Sequence, residues 1–162
     1  MENRKPIIAP AISAGNLVNL ERGKIPPQAV DVEEAVMGAM LIDKKGVDEV
    51  IDILQPEAFY KEANQHIFTA IHALFETSEP IDLLTVSAQL RKMGLLEKVG
   101  GDFYLVQLSK KVSTSAHIEF HARIILQKFI QRSLIKLSNE IIDDAFKQSI
   151  DVFALLAAAE SQ

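Results

Sequence analysis

His117 and His121 stand four residues apart, the spacing at which two imidazoles on one helix face can share a metal ion. Metal-assisted hydrolysis would then want a glutamate directly after the first histidine, but Glu119 lies two residues on, roughly 200° around a helix from it. No third ligand accompanies the pair, so both are read as surface or interface histidines. His66 and His72 are six apart and share no helix face, which makes packing or capping their expected role. The pairs Asp48-Glu49 and Asp143-Asp144 are adjacent carboxylates, and adjacent helical residues diverge instead of meeting over a substrate proton. A phosphate loop needs glycines followed by Lys and Ser or Thr. Gly23-Lys24 runs into Ile25-Pro26, and Gly100-Gly101 runs into Asp102, whose charge would repel phosphate. Cysteine is absent, which excludes thiolate metal sites and disulfides. No catalytic, cofactor-binding or metal-binding residue is assigned, and an interaction module is expected.

The elements that would carry such a module are helical. The chain has 162 residues, enough for one domain with an appendage, and 48% of them are hydrophobic, drawn from Ile, Leu, Val and Ala more than from aromatics. Residues 1–27, with Pro6, Pro10, Gly15 and Gly23, show no period and read as a flexible tail. Val32, Val36, Met37, Met40 and Leu41 then recur at helical spacing, with Asp31 as the expected N-cap. Val47, Val50, Ile51 and Leu54 mark a second helix stopped by Pro56, and Ile67, Ala70, Ile71, Leu74 and Phe75 a third over 62–76. A fourth runs from Leu83 to Met93 between Asp82 and Gly94, and Gly100-Gly101 opens a fifth from Phe103 to Lys111.

Residues 116–146 contain neither Gly nor Pro, and Ile118, Ala122, Ile125, Phe129, Ile130, Leu134, Leu137, Ile141 and Ala145 keep a helical period. One helix of that length reaches roughly 45 Å, more than a body of about 90 residues can cover, so part of it must protrude. After the turn Lys147–Ile150, Asp151 to Leu156 begin a returning antiparallel helix that ends among Ala157–Gln162 without a stop signal. The expected fold is all-α: a compact helical bundle head over 28–115, then a long protruding helical hairpin over 116–162. Its second helix is truncated, and the chain is expected to be a piece of a longer protein.

Charge narrows the partners. Residues 1–27 carry 4 basic and 2 acidic groups, residues 28–115 carry 8 and 14, and residues 116–162 carry 5 and 6, for a net −5. An acidic body with two tyrosines and no tryptophan suits neither phosphate neutralisation nor base stacking. An autonomous single-stranded nucleic-acid binding module is thus the weaker alternative. No apolar run is long enough to span a bilayer and no signal peptide opens the chain, so a cytoplasmic protein with no membrane partner is expected.

An ordered set of motifs adds to this reading. Pro26-Pro27-Gln28-Ala29-Val30-Asp31-Val32-Glu33-Glu34-Ala35-Val36-Met37-Gly38 is followed by Phe59-Tyr60 and His66-Ile67-Phe68, then Pro80-Ile81-Asp82-Leu83-Leu84-Thr85. Val99-Gly100-Gly101 with Tyr104-Leu105 and Leu108 comes next, and Ala122-Arg123-Ile124-Ile125 with Arg132-Ser133-Leu134-Ile135 closes the set. Together they resemble the N-terminal domain of DnaB-type replicative DNA helicases, with Met37 where Leu is usual and Ser133 where Glu is common. The resemblance implies a helical head and hairpin joined to a RecA-like ATPase domain that is absent here. ATP and Mg would serve that domain, with no cofactor in this chain, and DNA would be met only through the parent helicase. It implies homo-oligomers, dimers of the domain within a hexameric ring, whose collar docks the C-terminal domain of primase and contacts a helicase loader in the primosome. On the hairpin, Phe129, Ile130, Leu134 and Leu137 are the candidates for self-association, and Gln127, Lys128, Gln131 and Lys136, expected to be exposed, for primase contact.

Overall fold

The computed structural model describes residues 24–112, 116–147 and 151–161. Residues 1–23 of the expected tail, the Ser113-Thr114-Ser115 loop and residues 148–150 of the expected turn lie outside the described residues. All the regular structure among the described residues is helical, as the apolar spacing predicts.

Helix α1 (Val30–Ile42) is the centre of the head. It packs against α2 (Lys44–Val50), α3 (Glu62–Glu76), α4 (Leu83–Lys92), α6 (Gly101–Lys111) and α7 (Ile118–Phe146). Surrounded in this way, it buries Glu33, Glu34 and every residue from Val36 to Leu41, the pattern of a helix with no solvent face. Its N-cap is Ala29 and not Asp31. The Ala29 carbonyl already accepts the Glu33 amide at 2.9 Å, which leaves Asp31 inside the first turn, where its charge favours the positive helix end.

Asp43 both ends α1 and starts α2, its carboxylate accepting the Lys45 amide at 3.0 Å. That cap moves α2 to an earlier start than the apolar residues suggest, and Ile51 to Leu54 lie beyond its end at Val50. Helix α3 has the expected limits. At α4 the Asp82 carboxylate accepts the amides of Leu84 and Thr85, both at 2.9 Å, while the Asp82 amide donates to Thr85 Oγ1 at 2.9 Å. This reciprocal capping box fixes the start, and Gly94 at φ +70° supplies the left-handed turn that follows. Helix α5 (Leu96–Val99) is a short element that no apolar period announces, and α6 begins at Gly101, two residues before Phe103.

The core is not closed by residues 28–115 alone. Phe59 and Phe68, with ring centroids 5.1 Å apart, meet Met37, Met40, Ile67 and Ile71, and α7 adds Ile118, Ala122 and Ile125, all buried. Helix α8 (Val152–Glu160) touches α7 alone among the described elements. No helix among the described residues is long and apolar enough to cross a membrane.

Candidate assembly and docking surface

Helix α7 changes character along its length. Its first turns are sealed into the head through Ile118, Ala122 and Ile125, and Phe129 is half-buried against the same core. Arg132 follows. Its Nη1 donates to the Pro27 carbonyl at 2.9 Å and its Nη2 to the Ala58 carbonyl at 2.6 Å. The guanidinium also lies 5.6 Å from the Tyr60 ring centroid and 5.9 Å from that of Phe129. Beyond Arg132 no described residue of α7 is buried.

What remains on the distal half is apolar surface. Ile130 is 49% exposed and Leu134 57%, Leu137 is half-buried, and their spacing of four and three puts them on one face. Helix α8 presents Val152, Phe153 and Leu156 at 65, 81 and 54% exposure. Every residue of α8 whose side chain is described is exposed, although the helix carries Val, Phe, Leu and Ala almost throughout. A helix that is apolar all round belongs in an interior, so its surroundings here are incomplete.

The sequence-derived candidates separate accordingly. Ile130, Leu134 and Leu137 lie on the open face, whereas Phe129 packs against the head's core. Gln127 and Lys136 are exposed, the latter 3.8 Å from Glu140 in a helical ion pair. Lys128 and Gln131 are half-buried and not exposed as expected, because they lie one residue from Phe129 and Arg132 on the flank of the face turned to the head.

The head's side of this junction is held by two carboxylates that the sequence presents as ordinary acids of a first helix. Glu33, 1% exposed, accepts the amides of Tyr60 at 2.7 Å and Lys61 at 3.2 Å, and Asn64 Nδ2 at 3.1 Å. It thereby fixes the backbone that leads into α3, whose own N-cap, Lys61, makes no side-chain cap bond. Glu34 pairs with Lys61 at 2.8 Å and with Lys111, and Tyr104 Oη lies 3.0 Å from Asn64 Oδ1 and 3.2 Å from Glu34 Oε1. The available signal was an acid pair inside an apolar run that leaves no polar face.

Burial by itself would raise the Glu34 pKa, but the hydrogen bonds and charges of Lys111 and Lys61 outweigh it and hold it at about 2, against an ordinary 4.5. A depressed carboxylate pKa stabilises the fold above the unfolded value and is lost as pH falls from 4.5 towards 2. Urea unfolding is expected to show a loss of about 2 kcal/mol between roughly pH 6 and pH 3 that Glu34→Gln abolishes. An equal loss in the variant would assign the acid sensitivity elsewhere.

The residues do not fit a nucleotide. Gly101 is the first residue of α6, and in the next position Asp102 pairs with Arg91 at 3.5 Å and accepts the Ser87 hydroxyl, so a carboxylate occupies the place where phosphate would sit. His117 is the residue before α7, in a left-handed conformation at φ +64°, so it shares no helix face with His121. His66 Nε2 is closed off from solvent 3.3 Å from Glu62 Oε1, and His72 lies 3.5 Å from Glu76, one turn away in each case. Among the described residues no group of three His, Cys, Asp or Glu is placed to hold a metal. Lys61, Arg91, Lys111, Arg123, Lys136 and Lys147 all pair with carboxylates, which draws basic charge away from any phosphate backbone.

Residues 25–127 match the family described as DnaB-like helicase N terminal domain. The chain belongs to that family. It is 42% identical over 142 residues to the replicative DNA helicase DnaB of Rhodothermus marinus, covering 88% of this chain and 15% of that protein. It is 38% identical over 137 residues to the DnaB of Geobacillus stearothermophilus, covering 85% of this chain and 30% of the other. The chain therefore spans less than a third of these helicases. In three dimensions it resembles the N-terminal domain of DnaB helicase from Mycobacterium tuberculosis, with a TM-score of 0.80 and 32% identity over 85% of this chain and 96% of that one. The corresponding domain from Helicobacter pylori, described with its interactions with primase, shares the fold at a TM-score of 0.60 and 24% identity, covering 72% of this chain and 91% of that one. The DnaB-like N-terminal fold accounts for the head and for the placement of α7 across it.

Proposed function

We propose that this chain is the N-terminal assembly and docking domain of a replicative DNA helicase, holding subunits together in a collar and presenting a surface to primase. The observation that carries this reading is α8, an apolar helix whose described side chains are all exposed and which touches only α7 among the described elements. A second copy offering the same apolar hairpin would complete both surroundings at once, as two-fold self-association requires. Ile130, Leu134 and Leu137 on α7 supply the facing stripe, and Phe129 supports it from the core side. The head and hairpin act as the two parts of this domain, the first carrying the core and the second the contacts.

In this reading ATP, Mg2+ and DNA are handled by a RecA-like domain of the whole cytoplasmic helicase, which assembles as a hexamer and is placed on DNA by a loader. The exposed Gln127, with Lys128 and Gln131 beside it, is offered to the C-terminal domain of primase, and Lys136, about two and a half turns further on, would contact it separately. The similarity to replicative helicases over 85 to 88% of this chain supports this assignment.

Sedimentation of the purified chain over a concentration series tests it. Reversible association is expected, with Leu134→Glu or Phe153→Glu weakening it at least about tenfold, the effect of roughly 1.4 kcal/mol from a desolvated charge. Monomer alone at high concentration, together with no binding of the primase domain, would overturn the proposal. ATP hydrolysis by the pure chain would remove the assignment of the motor to another domain.

A further inference from the structure

Arg132 is the last residue of α7 seen to bind the head, and the two carbonyls it holds belong to different segments. Pro27 leads into α1, and Ala58 ends the short 3-10 turn Pro56–Ala58 before α3. The backbone around Ala58 is held in place. The Phe59 carbonyl beside Ala58 accepts Gln65 Nε2 at 2.7 Å, and the amide of Tyr60 is fixed on buried Glu33. Pro27 has no free φ and precedes a helix packed on all sides.

A guanidinium presents its donors in one plane at fixed angles. Two bonds to separate carbonyls therefore reinforce, at the point where α7 leaves the head, the distance and rotation that its buried residues give it. The Tyr60 and Phe129 rings near the guanidinium restrict it further. From this point to Phe146 the helix has no buried residue, and among the described elements α8 touches α7 alone. The direction of the distal hairpin thus rests on the buried first turns of α7 and, where the helix leaves the head, on Arg132.

We infer that Arg132 is a clamp that narrows the range of angles the hairpin takes against the head where α7 leaves it, and that its loss widens that range while the head stays folded. The inference concerns a single chain and holds whatever the hairpin binds. A collar built from such hairpins would take part of its geometry from this clamp.

The absence of native cysteine makes a direct test available. Spin labels are placed at exposed Lys92 in the head and exposed Asp143 on α7 through cysteine substitutions. The labelled chain is diluted into excess unlabelled chain, which suppresses distances between copies. The parent protein is expected to give one narrow distance distribution. Arg132→Met is expected to broaden it by about twofold or more, and Arg132→Lys to do nearly the same, since one ammonium cannot hold two diverging carbonyls in register. A second label pair within the head, at Lys92 and exposed Glu49, should keep its width in both variants. Unchanged widths for the head-to-hairpin pair in both variants would overturn the clamp. Equal broadening of the pair within the head would do so as well, by showing Arg132 to be a staple of the head's own fold.

Discussion

Replacing Glu33 by alanine is expected to destabilise the head by about 3–5 kcal/mol. The carboxylate is 1% exposed and receives three donors, the Tyr60 and Lys61 amides and Asn64 Nδ2. Two of these are the amides of the N-cap of α3, Lys61, and of Tyr60 before it, so the same side chain seats the start of one helix from its place on another. Alanine removes the acceptor and leaves the donors in a space closed to water, where each costs about 1–3 kcal/mol. Glu33→Gln keeps one oxygen but turns its amide hydrogens towards other donors, and a smaller loss of about 2 kcal/mol is expected. Equilibrium urea unfolding followed by helical circular dichroism measures both. A loss below about 1 kcal/mol for Glu33→Ala would mean that water replaces the carboxylate, contrary to the burial described.

Gly38→Ala carries the second large effect, and here propensity and packing oppose each other. Alanine favours a helix interior over glycine by about 0.5–1 kcal/mol. Yet a Cβ on Gly38 would lie 2.2 Å from the Leu108 carbonyl oxygen and 3.0 Å from Val112 Cγ2. The first of these is backbone, so α1 and α6, which pack closely along their lengths, must move apart. The gross cost of such overpacking is about 3 kcal/mol, so a net loss near 2 kcal/mol and a fall in Tm of roughly 5–10 °C are expected. Gly94 serves as the control: a Cβ there meets nothing within 4 Å, and its φ of +70° limits the loss on Gly94→Ala to about 1 kcal/mol. If Gly38→Ala proved as mild as Gly94→Ala, the close approach of the two helices would not be what the glycine serves.

Helices whose signals are local can be read from the residues alone. Helix α3 shows its apolar period over full turns, Asp82 and Gly94 mark the ends of α4 by side-chain and backbone preference, and the absence of Gly and Pro from 118 to 146 leaves α7 uninterrupted. Family membership was legible for a related reason, since the ordered motifs record which residues must meet even where their contacts are unseen. Short or shared features were not legible. Helix α5 is too brief for a period to register, and α2 takes its start from Asp43 instead of from its apolar residues.

Tertiary structure alone decided which faces are free. The distal half of α7 is apolar on more than one side, so periodicity cannot say which stripe meets the head. Docking onto α1, α2 and the 3-10 turn decided it, drawing in Phe129 and Arg132 and leaving Ile130 and Leu134 open. The same holds for Glu33 and Glu34, whose partners no local pattern announces. They are buried because their partners, Tyr60, Lys61, Asn64, Tyr104 and Lys111, arrive from 27 to 77 residues away. Pattern along a chain reports what a helix prefers to bury; only the meeting of distant segments fixes what it does bury, because hydrogen bonds and close packing are satisfied in space and not in sequence.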